Sequence, residues 1–147
     1  MRTTTVAALR HAITSAAAAL TIAACGGQGD APLTPKDASP DVELTIDLVT
    51  PNANDGAVLF DIVGPRAATV ATKPDLFIDQ DTTAVNGLIT STVTVRGDLA
   101  SGVIGRFTVP RASADAYTVR LREAAANASG GYASRNNLGA YRLSIHR

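Results

Sequence analysis

The sequence predicts an all-β domain, a small antiparallel β-sandwich, and three observations carry that reading. Apolar and polar residues alternate with period two, the apolar runs are short, and Gly, Pro, Asn or Asp stands in most of the gaps between them. From Asp41 onward, Val42, Leu44, Ile46 and Leu48 alternate with Glu43, Thr45 and Asp47, as in a strand with one buried face. The stretch 51–56, PNANDG, is turn chemistry. The next run, AVLFDIV at 57–63, is apolar nearly throughout and stops at Gly64-Pro65, as expected of a strand buried on both faces or crossing between sheets. The two runs, with this turn between them, are expected to pair as a hairpin.

Further β-type runs fall at 69–72, 76–78, 88–96, 103–109, 117–123 and 140–146. The competing helical segment is LREAAANA at 121–128, whose residues favour helix on propensity. Because Tyr117, Val119 and Leu121 alternate with Thr118, Arg120 and Arg122, its start reads as the end of a strand. Its alanines stay open between strand end, loop and a short helical turn. Short strands with frequent turns fit a sandwich or a small barrel, and the sandwich is the expected form.

The first 24 of the 147 residues read differently from the rest. Residues 1–10 carry Arg2 and Arg10 with no acid, residues 12–22 are mostly apolar, and small residues lead into Cys25, the order of a secretory signal. The apolar run is about half the roughly 20 residues that a membrane-spanning helix requires. Ile22-Ala23-Ala24-Cys25 resembles the lipobox of bacterial lipoproteins, with Ile22 where the family usually has Leu. The resemblance implies cleavage before Cys25 and a diacylglycerol thioether on its sulfur. Two or more acyl chains anchor a protein stably where one does not, at about 0.8 kcal/mol per buried methylene. In the Gram-negative lipoproteins it resembles, Asp after the cysteine tends to retain the protein at the inner membrane. Gly26 at that place implies a cell-envelope protein held at the outer membrane.

The stretch 26–40, GGQGDAPLTPKDASP, is rich in Gly, Pro and small polar residues and reads as a flexible tether. At roughly 3 Å per extended residue it is long enough to hold a domain spanning 41–147 a few tens of ångströms from a bilayer.

The rhythm of that domain resembles immunoglobulin-like or cohesin-like sandwiches of bacterial surface proteins. DAYTVRL at 115–121 is similar to the start of a late strand bearing a tyrosine corner, with Tyr117 in that role or simply packed at a strand start. The text DGAVLF at 55–60 and the Tyr141-x-Leu143-x-Ile145 pattern also resemble a group of bacterial envelope lipoproteins. That likeness implies fold and export and no particular activity.

Composition narrows the chemistry. Lys plus Arg and Asp plus Glu are balanced at 13 each, so the clustered basic charge of a nucleic-acid binder is not expected. Cys25 is the only cysteine, so no disulfide within the chain and no cysteine-rich metal site can form. Of the two histidines, His11 belongs to the signal and His146 stands beside the C-terminus. No HExxH, GxSxG or phosphate-loop pattern is present. No catalytic residues and no cofactor are expected, and the chain reads as a non-enzyme. Asp79, Asp81 and Asp75 around IDQDTT are the acidic candidates for calcium, but an EF-hand would need Gly where Ala84 stands, and a solvated acidic loop is the expected form. Asn52, Asn54 and Asp55 read as turn formers.

Binding candidates remain. Acids dominate from Cys25 to Asp98, whereas the later chain carries arginines. Alternation puts Arg106, Arg120, Arg122 and Arg142 on solvent-facing sides, where they form one basic strip or pair across the sheet with Glu43, Asp47 and Asp61. The aromatics Phe60, Phe77, Phe107, Tyr117 and Tyr141 stand where a core would use them, while Tyr132, in SGGYASRNN, is expected to be exposed. The expectation is a membrane-anchored, non-enzymatic module that binds an envelope protein or supports an assembly. The alternative is a glycan- or small-ligand-binding lipoprotein whose basic strip meets acidic polysaccharide.

Overall fold

The computed structural model describes residues 40–147, so the expected signal at 1–24, the lipid-bearing Cys25 and the tether before Pro40 lie outside the described residues. Eight strands follow: β1 (Asp41–Val49), β2 (Asp55–Gly64), β3 (Phe77–Val85), β4 (Leu88–Leu99), β5 (Gly102–Pro110), β6 (Thr118–Ala128), β7 (Gly131–Ser134) and β8 (Arg142–His146). Short 3₁₀ turns, Arg111–Ala116 and Leu138–Ala140, enter β6 and β8. The domain is a β-sandwich of two antiparallel sheets, three strands in the order β5-β1-β8 and five in the order β3-β4-β2-β6-β7.

The period-two alternation works as written in the sequence. Leu44, Ile46 and Leu48 of β1 turn inward and are buried, facing Val58, Phe60 and Ile62 of β2 and Val93 and Val95 of β4 across the core. Each such side chain contributes roughly 1.5–3 kcal/mol by leaving water, which sets the pairing register, since a one-residue slip would turn the whole row outward.

Four details depart from the expectation. First, β1 and β2 do not form a hairpin. β1 is flanked by β5 and β8, and β2 by β4 and β6, so both edges of each are taken and the chain between them crosses from one sheet to the other. Thr50 anchors that crossing, its N–H donating to Ser101 Oγ at 2.9 Å. Second, the run at 69–72 forms a strap with a single bridge, Ala71 to Arg106. Third, the acidic segment after Phe77 is strand rather than loop. The Asn86-Gly87 turn, with φ of 51° and 79°, folds it onto β4 in register from Val85↔Leu88 to Phe77↔Arg96. Arg96 neutralises Asp79 on the way. Fourth, the alanines of 124–128 continue β6. An extra residue, Arg122, bulges between the Leu59↔Glu123 and Phe60↔Leu121 pairs, so inward positions change from Val119 and Leu121 to Ala124 and Ala126.

The strap closes the open side of the core, and two polar side chains hold it. Ser91, fully buried, accepts a hydrogen bond from the Ala68 N–H at 3.0 Å. Gln80 accepts from the Val70 N–H at 3.1 Å and donates to the Ala68 carbonyl. Ser91→Ala is expected to leave a buried N–H unpaired and to cost about 1–2 kcal/mol in urea unfolding, with faster hydrogen exchange at Ala68. An unchanged Ala68 exchange rate would show that the strap is held elsewhere.

Candidate functional site

The arginines expected to form one strip are divided by the fold. Arg106 (β5) and Arg142 (β8) flank β1 in the three-stranded sheet, whereas Arg120 and Arg122 (β6) lie in the five-stranded sheet. Two of the four are paired: Arg106 with Glu43 at 3.6 Å, and Arg122 with Asp61 at 2.9 Å. Asp61 also accepts from Thr92 Oγ1 at 2.9 Å, and its hydrogen bond to Arg122, followed by its charge, pushes the guanidinium pKa up. The third acid considered, Asp47, meets His146 Nε2 at 2.7 Å rather than an arginine. Strand order therefore replaces a continuous basic strip with separate ion pairs and two further arginines on different sheets.

The aromatics divide more sharply than expected. Phe60, Phe107, Tyr117 and Tyr141 are buried and Tyr132 is exposed, but Phe77 is 70% exposed. Its odd-numbered place on β3 puts it on the outer face of the five-stranded sheet, away from the core that Ile78 touches. Tyr117 packs edge-to-face against Phe107, with ring centroids 5.5 Å apart. Its hydroxyl makes no well-formed hydrogen bond, as a tyrosine corner would require, and burial pushes the phenol pKa up.

Asp55, read from sequence as a turn former, is fully buried at the crossing between the sheets. Its Oδ1 accepts from Arg135 Nε at 2.9 Å, and its Oδ2 accepts from the Tyr141 hydroxyl at 2.8 Å and from the Thr50 hydroxyl. Arg135 also donates to Asn54 Oδ1 at 2.6 Å, and Asn52 donates to the Tyr141 oxygen at 2.7 Å. Burial alone would raise the carboxyl pKa, but hydrogen bonds from Thr50, Tyr141 and Arg135 and the charge of Arg135 outweigh it and hold it below its ordinary value. Tyr141 responds in the opposite sense, raised by burial and by the carboxylate it faces. With both oxygens engaged, this carboxylate acts as a brace joining the start of β2, the β1–β2 crossing and the β7–β8 connection. Beside it an open cleft of about 410 Å³ is lined by Asn52, Arg135, Asn136, Asn137 and Tyr141, among others, a set of amide and guanidinium groups suited to hydrogen bonding. No local sequence signal links residues 55, 135 and 141.

The β3–β4 hairpin is the least covered part of the fold. From Asp81 to Leu88 every residue is exposed, and Val85 and Leu88 at its tip are 59% and 51% exposed. β3 ends the five-stranded sheet, and among the described residues no strand pairs with its outer edge. Counting from the Val85↔Leu88 pair that closes the two-residue turn, hydrogen-bonded pairs fall on odd-numbered residues, so Ile78, Gln80, Thr82 and Ala84 direct backbone N–H and C=O groups to the free edge. Asp79 and Asp81 occupy the outer face between Phe77 and Val85. Among the described residues no group of three or more His, Cys, Asp or Glu is placed to hold a metal ion.

Comparison of the chain with known protein families, with curated proteins and with solved structures finds no match.

Proposed function

We propose that this protein is a lipid-anchored envelope lipoprotein whose sandwich domain is a non-enzymatic module that binds a protein partner through the β3–β4 hairpin. The observation that carries the binding half is the nine-residue free edge of β3, with exposed Phe77, Val85 and Leu88 around it. A long open edge is a template for a further strand, and soluble proteins usually cover or shorten one. An exposed apolar tip on the same hairpin adds contact area of the kind that marks interaction sites. The anchoring half rests on the basic, apolar and small-residue order ending in Ile22-Ala23-Ala24-Cys25, and on the Gly- and Pro-rich stretch before Asp41.

Cys25→Ser tests the anchor: lipid labelling is expected to vanish, leaving an unanchored or unprocessed precursor, whereas retained labelling would overturn it. A photo-crosslinking residue in place of Val85, introduced in cells, tests the binding half. The expected product is a covalent adduct with one protein. Recovery of polysaccharide alone, or capture of the same protein from a site in β8, would overturn the assignment to the hairpin.

A further inference from the structure

We propose that the β3 edge selects a partner strand carrying Lys or Arg opposite Asp81, and that Asp81 keeps a second copy of this chain off the same edge. This deepens the reading of the hairpin as a protein-binding edge and rests on it.

The two acids on the outer face of β3 are not equivalent. Asp79 is paired with Arg96, whereas Asp81 has no cation within ion-pair distance among the described residues. Instead the Asp81 carboxylate accepts from the N–H of Thr82 at 2.8 Å. That N–H is one of the groups directed to the free edge, so Asp81 caps the middle of the edge with its own side chain.

A second copy would pair most favourably in the antiparallel register that sets Phe77 against Val85 and Ile78 against Ala84. The same register sets Asp81 directly against its symmetry mate, with Cβ atoms about 5 Å apart. Like charges so placed repel, and neither carboxylate gains a replacement for the Thr82 N–H it must release. A one-residue slip turns the apolar faces away from each other, and a two-residue shift moves Phe77 either opposite Gly87 in the turn or opposite Thr83, the latter setting Asp79 against Asp81. Self-pairing is thus penalised in the register that the apolar residues favour.

A strand with Lys or Arg at that position reverses each term. The cation takes the Asp81 carboxylate, Thr82 is freed to donate to the incoming backbone, and apolar residues four places to either side of the cation meet Phe77 and Val85. Repulsion of the wrong partner and attraction of the right one then come from one side chain.

The test uses the isotope-labelled full chain bearing Cys25→Ser and two synthetic peptides, VTTTKTTTV and VTTTETTTV. With the lysine peptide, amide shifts are expected along β3, centred on Thr82, with affinity at least about tenfold above that of the glutamate peptide. Asp81→Lys should invert that preference, and Asp81→Val should sediment as a dimer. Asp81 is exposed, so retained amide dispersion verifies that each variant is folded. Equal affinity for both peptides, or a monomeric Asp81→Val, would overturn the proposal while leaving strand addition itself standing. No shift in β3 with either peptide at about 1 mM would also overturn it, and the Val85 crosslink then judges the broader reading independently.

Discussion

Asp55→Ala is expected to destabilise the domain by about 3 kcal/mol, a fall in Tm of about 15 °C for a sandwich of this size. Three side chains lose their common acceptor at once. The Arg135 guanidinium, 26% exposed, keeps Asn54 but loses its counter-charge, and the hydroxyls of Thr50 and Tyr141 lose the oxygen to which both donate. Removing one member of a buried charged pair costs more than the pair contributes, because the remaining groups stay desolvated. Asp55→Asn retains an acceptor for the hydroxyls without the charge and should fall between wild type and Asp55→Ala.

The same residue gives the domain a pH dependence whose sign follows from its lowered pKa. In the unfolded chain Asp55 takes up its proton at the ordinary carboxylate value, and in the folded domain only below it. Its contribution is therefore complete above the unfolded value and is lost as pH falls through the folded one. Urea unfolding of wild type and Asp55→Asn across the acid range should show their stabilities converging as pH falls. A constant difference would mean that Asp55 takes up its proton at the same pH in the folded and unfolded chain.

Gly64→Ala is expected to cost about 3 kcal/mol although it adds one methyl group to the end of a strand. A Cβ at Gly64 would overlap the ring of Tyr117, which is pinned in turn against Phe107. The clash is with a buried ring and cannot be relieved by swinging a flexible side chain into water. Tyr117→Leu should therefore cost less in the Gly64→Ala background than in wild type, giving a double-mutant coupling of about 1 kcal/mol or more. Additive effects would place the strain in the Gly64-Pro65 backbone instead.

The fold class and the strand rows were legible because alternation is a local, one-dimensional signal. Leu44, Ile46 and Leu48 face the core as their spacing says, and Phe60 and Ile62 follow suit on β2. What local text cannot encode is which strands become neighbours. PNANDG has the composition of a hairpin turn, yet it spans two sheets, since the partners of β1 lie some 60 and 100 residues further along the chain. The same limit explains the arginines: alternation put Arg106, Arg120, Arg122 and Arg142 outward, but sheet membership separates them. Segment 79–85 was obscured for another reason. An edge strand exposed on both faces carries no hydrophobic row, so its polar residues read as loop until the Asn86-Gly87 turn ties them to β4.

By itself the sequence determined an all-β sandwich beginning near Asp41, because burial of alternate side chains writes period two into the chain. The proposed export and anchoring signal at Cys25 rests on the chain's first residues alone. Only the tertiary structure decided that Asp55, Arg135 and Tyr141 form one brace and that, among the described residues, no strand pairs with the outer edge of β3. Both depend on contacts between residues far apart in the chain, whose energies exist only once the two sheets have packed.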